Sequence, residues 1–214
     1  MAEGTAGMAG PRRQDITGLV LAGGRGNRMG GVDKGLQRLR GEPLVVHAIR
    51  RLAPQVGVVM LNANRHLDQY AEYGLPVWPD ADVDFAGPLA GFLAGLVHCT
   101  TPWLATVPCD SPRFPTDLVA RLAAGLGAAS AAIAVTTSDG LRQVQPVFCL
   151  LRRELQGDLA TWLAAGERKI DRWLARVGCA EVAFADADAF YNANTLAELN
   201  LLEGGPSPQS RGGI

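Results

Sequence analysis

The chain has 214 residues, 48% of them hydrophobic, which is enough apolar material to bury the core of one ordinary domain. Twenty Lys and Arg against 21 Asp and Glu leave a formal charge of −1. That balance gives no global attraction to nucleic acid or to an anionic membrane, so any affinity for phosphate has to be local. Cys99, Cys109, Cys149 and Cys179 stand far apart with no CxxC pair, and three of them lie in apolar runs, as buried reduced thiols do. His47, His66 and His98 are scattered and have no cysteine at metal spacing, which disfavours a zinc site. With no signal-peptide pattern and no apolar stretch of spanning length, a soluble cytoplasmic protein is expected.

Residues 1–15 are rich in Gly, Ala and Arg without hydrophobic periodicity, and 204–214 read GGPSPQSRGGI. Both are expected to be disordered, flanking one folded unit over 16–203. Within it, short apolar runs alternate with amphipathic stretches, the pattern of an α/β fold with a mostly parallel sheet flanked by helices. In chain order the expected strands are 16–21, 56–61, 76–78, 103–107, 131–135, 144–150 and 181–184. Helices are expected over 43–52, 88–97, 115–126, 154–165 and 169–177, and the stripe Leu89, Phe92, Leu93, Leu96 and Val97 makes the second of these the clearest. A final helix is expected at Thr195, with Glu198 completing a capping box ahead of Leu199 and Leu202.

The first strand empties into LAGGRGNRMGGVDKG, where glycines surround Arg25, Arg28 and Lys34, with Asp33 the only acid. Glycines let backbone N–H groups approach an anion closely, and fixed cations neutralise a polyphosphate. Arg38 and Arg40 read better as a solvated face. The loop is not a P-loop, since Lys34 is followed by Gly35 rather than Ser or Thr. Gly24, Gly26 and Gly30 form a loose dinucleotide fingerprint, but a Rossmann dehydrogenase wants an acid or arginine at the end of the second strand, where Asn62 stands.

Ligands of open α/β sheets sit beyond the carboxyl ends of the strands. The first four strands end, in order, at the glycine loop, at Asn62, Asn64 and Arg65, at Asp80 and Asp82, and at Cys109 and Asp110. These polar groups are expected to line one cleft, although Asn and Asp also start ordinary turns. Gly87, Gly91 and Gly95 recur every fourth residue, a spacing that suits close helix packing, while Pro88 at a helix start also suits an anion.

The whole string resembles the nucleotidyltransferase signature L-A-G-G-x-x-x-R-M-G followed closely by Lys, and within it the molybdenum cofactor guanylyltransferase family of the MobA type. The resemblance extends in order through NANRH at 62–66, PDAD at 79–82, GPLAG at 87–91, PCDSP at 108–112, AGERK at 165–169 and NANT at 192–195. Departures are small, such as Ala193 and Leu196 where relatives often read NVNTP. The resemblance implies a nucleotide-diphospho-sugar transferase-like fold and transfer of GMP from GTP to the terminal phosphate of Mo-molybdopterin. It implies that Leu21, Ala22, Gly23 and Gly24 cradle the purine and ribose, that Lys34 and Arg28 steady the phosphates, and that Asn62 and Asp80 contact the nucleotide. Asp110 is implied as the ligand of a Mg²⁺ cofactor, an oxygen donor of the kind that ion prefers.

Gly87, Gly91, Arg168, Asn192 and Asn194 fall on the implied molybdopterin side, with Asn194 also a candidate to reach the metal. Implied partners are GTP, Mo-molybdopterin, and molybdoenzymes or other proteins of cofactor biosynthesis, with no nucleic acid and no membrane; a monomer is expected. The competing readings are a CTP-dependent sibling, a sugar-phosphate nucleotidyltransferase, and a non-catalytic carrier of the pterin cofactor. Gly23 favours GTP, since cytidylyltransferases tend toward LAAG, and a carrier has no need of Lys34 and Asp110 beside a glycine loop.

Overall fold

A computed structural model describes residues 10–22, 33–81, 87–138, 140–193 and 198. A seven-stranded sheet runs in the order β5-β4-β1-β6-β8-β7-β9, made of β1 (Ile16–Leu21), β4 (Val58–Asn62), β5 (Val77–Trp78), β6 (Trp103–Pro108), β7 (Ala131–Ser138), β8 (Leu141–Arg152) and β9 (Cys179–Phe184). Pairing is parallel between β5 and β4, β4 and β1, β1 and β6, and β7 and β9. Only β8 is reversed, antiparallel to both β6 and β7. A small hairpin, β2 (Arg38–Leu39) with β3 (Glu42–Pro43), turns through Arg40 and Gly41, both at positive φ as a two-residue hairpin turn requires.

The strands alternate their side chains between two apolar layers. Ile16, Val20, Ala105, Val107 and Leu61 face α1 (Leu44–Leu52) and α4 (Leu118–Gly125), while Leu19, Met60 and Leu104 face α3 (Pro88–His98), α5 (Gln156–Ala164) and α6 (Ile170–Val177). Gly18 is required by the first layer, because a Cβ there would lie 2.7 Å from a Leu52 methyl. Among the described residues no helix is long and apolar enough to cross a membrane.

The expected strand at 144–150 is a 12-residue strand, because its first residues, Leu141–Gln145, also pair with β7, from Ser138 back to Ala134. The register then jumps from Gln145 to Cys149 opposite Ala134 and Ile133. Residues 10–15, assigned from the sequence to the N-terminal extension, pack on the domain: Arg13 Nε donates to the Val56 carbonyl at 3.0 Å and Asp15 closes a 3-10 turn. The helix expected from residue 115 begins at Leu118, after a turn led by Pro115. The expected helix at Thr195 lies outside the described residues except for Glu198.

All four cysteines are free thiols, three of them buried. Burial pushes Cys179 from the ordinary 9.0 up to about 12, with Glu181 adding to the shift.

Candidate active site

The carboxyl ends of β5, β4, β1 and β6 lie side by side, so the four polar strand ends do share one edge of the sheet. The main chain ties them together. Ala22 N donates to the Asn62 carbonyl at 2.8 Å, and Cys109 N donates to the Leu21 carbonyl at 3.0 Å. Leu21 and Ala22 thus leave β1 held between its neighbours, at the point where the glycine loop begins. Gly23, Gly24 and Arg28 lie outside the described residues, as do Asp82 and Asn194.

Lys34 enters this edge from the other end of the loop. Its Nζ lies 3.1 Å from Asp110 Oδ2, joining residues 76 positions apart, with side chains 22% and 15% exposed. Asp110 stands two residues after the end of β6 and does not cap α4, since Asp117 occupies that N-cap position. The segment at 191–193 crosses beside it: Ala193 N donates to the Asp110 carbonyl at 2.8 Å, and Ser111 Oγ donates to Asn192 Oδ1. Asn192, expected on the pterin side, is therefore brought to the same corner as Asp110.

A second cluster forms at the ends of β4 and β5. Buried Asn62 donates through Nδ2 to the Trp78 carbonyl at 3.0 Å and to Asp80 Oδ1 at 2.9 Å. Asn64 Nδ2 donates to Asp80 Oδ2 at 2.8 Å, and Asp80 N returns a bond to Asn64 Oδ1. Both expected nucleotide contacts, Asn62 and Asp80, are thus members of one network, with Asn64 as its third part.

Gly91 shows the close packing that its spacing suits. It is buried against the sheet: a Cβ there would fall 2.4 Å from Leu21 Cδ2 and 2.5 Å from Asn62 Oδ1. The bare backbone lets α3 approach the ends of β1 and β4. Gly95 does the same against Leu19 and Leu104. Gly87, by contrast, is exposed at φ +130, the turn into α3, and has open space around it.

Gly91→Ala is expected to lower stability by about 1–2 kcal/mol, overpacking outweighing the gain in helix propensity. Urea denaturation checks this. Because Asn62 is pinned by two hydrogen bonds and cannot retreat freely, the same variant should raise the nucleotide KM.

Arg168 ends α5 by donating to the carbonyls of Leu163 at 2.8 Å and Glu167 at 2.9 Å, a helix C-terminal cap. α5 packs on α3, which places Arg168 on the α3 side of the sheet.

Two residues of this corner escaped the sequence reading. Asp33 is 7% exposed, and its Oδ1 accepts from Gly35 N at 3.1 Å and from the Tyr70 hydroxyl at 2.6 Å. Tyr70 lies in α2 (Leu67–Ala71), a five-residue helix too short to leave a periodic signal. Cys109 is buried beside them, its thiol pushed well up by burial first, then by Asp110 and Asp33, with Lys34 opposing. It is a neutral filler of the wall.

Asp110 offers a hard carboxylate at a strand end, and Mg²⁺ is ordinarily held by one or two carboxylates with substrate phosphates and water. Among the described residues no three His, Cys, Asp or Glu side chains gather as a metal cluster. The Asp110 carboxylate is a donor of the kind that Mg²⁺ takes.

The sheet is parallel but for β8, and a lysine and a carboxylate meet at its carboxyl edge. The chain is a nucleotidyltransferase: it belongs to the MobA-like NTP transferase domain family, whose model matches residues 18–181. Within that family it is similar to the molybdenum cofactor guanylyltransferase of Acidovorax ebreus, 59% identical over 202 residues that cover 89% of this chain and 96% of that protein. The enzyme of the same name from Bordetella pertussis is 56% identical over 193 residues, covering 89% and 98%.

Among solved structures, molybdopterin-guanine dinucleotide biosynthesis protein A from Archaeoglobus fulgidus superposes with a TM-score of 0.67 at 20% identity, covering 87% of this chain and 96% of that one. A 4-diphosphocytidyl-2C-methyl-D-erythritol synthase from Anaerococcus prevotii gives 0.71 at 10% identity, covering 89% and 95%. At such identities these two likenesses concern the fold.

Proposed function

We propose that this chain transfers GMP from GTP to the terminal phosphate of Mo-molybdopterin, releasing pyrophosphate and forming the guanine dinucleotide cofactor. The relatives' names support the reading, and the observation that carries it is the Lys34–Asp110 pair at the carboxyl edge of the sheet, 3.1 Å apart.

A phosphate oxygen of the pterin attacks the α-phosphorus of GTP, a new P–O bond forms, and the bond to the β-phosphate oxygen breaks. The nucleophile is a phosphate monoester already ionised at neutral pH, so no side chain need remove a proton. Lys34 holds positive charge against the triphosphate as charge builds on the leaving pyrophosphate, and Arg28 is assigned to the same phosphates. Leu21, Ala22, Gly23 and Gly24 are assigned to the base and ribose, with Asn62 and Asp80 as further polar contacts to the nucleotide. Mg²⁺ held by Asp110 would supply Lewis-acid neutralisation of phosphate oxygens. Gly87, Gly91, Arg168, Asn192 and Asn194 are assigned to the pterin side.

The carrier reading explains neither the ion pair nor its place. The test is pyrophosphate release with Mo-molybdopterin present, GTP against CTP. GTP should be preferred by roughly tenfold or more, since a site built to pair polar base edges rejects the wrong one. Equal or faster release with CTP would assign the chain to the cytidylyl siblings.

A further inference from the structure

Lys34 opens a single 3-10 turn, Lys34–Leu36, whose own hydrogen bond runs from Gln37 N to the Lys34 carbonyl at 3.1 Å. One such turn has little rigidity of its own. Its anchor is Asp33, which caps the turn through Gly35 N and in turn receives the Tyr70 hydroxyl, 37 positions away in α2. Gly35 makes room for that contact, because a Cβ there would lie 2.3 Å from the Tyr70 oxygen. Tyr70 itself has no exposed surface.

Burying a hydroxyl is costly unless it is bonded, and a phenylalanine would fill the same core space without that cost. The presence of the oxygen therefore has its explanation at its partner, the carboxylate one residue before the lysine. Burial raises the Tyr70 pKa far above the ordinary tyrosine value, with Cys109 and the bond to Asp33 adding to it, so the hydroxyl stays a donor.

We propose that Asp33 and Tyr70 are positioning residues for Lys34: the hydroxyl holds the Asp33 carboxylate, and the carboxylate holds the turn that aims the lysine toward Asp110. This rests on Lys34 being a triphosphate contact. Neither residue touches the reacting atoms, so their effect must travel through the lysine.

Tyr70→Phe and Lys34→Ala, singly and together, separate the possibilities when pyrophosphate release from GTP with Mo-molybdopterin present is followed in single turnover with enzyme in excess, beside urea denaturation of each variant. Tyr70→Phe should slow release by roughly tenfold to a hundredfold, the scale of a misplaced catalytic group, while remaining folded. In the Lys34→Ala background it should add no further loss, and Asp33→Asn, which keeps the accepting oxygen, should be milder than Asp33→Ala. An unchanged rate in Tyr70→Phe, or a loss that multiplies with that of Lys34→Ala, overturns the positioning role alone. Full activity in Lys34→Ala would instead remove the underlying reading of the lysine, and the positioning role with it.

Discussion

Asp110→Ala should lose turnover by roughly 10³-fold or more while keeping its fold. The side chain supplies a hard oxygen donor and the partner of Lys34, so on the proposed reading its removal takes away the ligand of the metal. The fold should survive because the structural tie at this residue is made by the backbone: the Ala193 N–H bonds the Asp110 carbonyl, which alanine retains. The ion pair is partly open to water, so its loss should cost stability of only about 1 kcal/mol. Asp110→Asn refines the test. It keeps size and an accepting oxygen for Lys34 but not the charge, and should be nearly as inactive as alanine. Kinetics at saturating GTP across a Mg²⁺ series, beside urea denaturation, reads both parts.

Lys34→Ala should lower kcat/KM by roughly 10²- to 10³-fold, the usual cost of removing one preorganised donor to a developing oxyanion. Most of the loss should fall on kcat, because charge moves onto the leaving pyrophosphate only as the bond breaks. Lys34→Arg should recover part of the activity, since the charge is kept while the planar guanidinium does not reproduce the compact ammonium beside Asp110. The double variant with Asp110→Ala should be little worse than the worse single one, since both act on the same phosphates. Independent losses that multiply would separate the two residues functionally.

Much of this arrangement was legible in the residues. β1 matches its expected bounds at 16–21, and α3 runs one residue beyond 97, because each is a mostly apolar run of the length its element needs. The edge that gathers Lys34, Asn62, Asp80 and Asp110 follows from parallel strands in neighbouring positions, each ending in a polar residue. The reversal of β8 was not legible, since alternation sets which face a residue takes but not the direction of its strand. Gly91 was ambiguous for a related reason: a small residue on a helix permits close approach by a ligand or by the sheet, and Leu21 and Asn62 decide it. Asp33 and Tyr70 escaped because their pairing joins a capping turn to a five-residue helix, a contact that no spacing announces.

Calorimetric titration of GTP into the protein, with and without Mg²⁺, tests the central claim that the carboxyl edge of the sheet shares a triphosphate between Lys34 and an ion at Asp110. Saturable binding that strengthens with Mg²⁺ in the native chain, and loses that dependence in Asp110→Asn, is the predicted result. Binding of equal strength in both proteins with or without the metal, or no heat of binding at all, would contradict it.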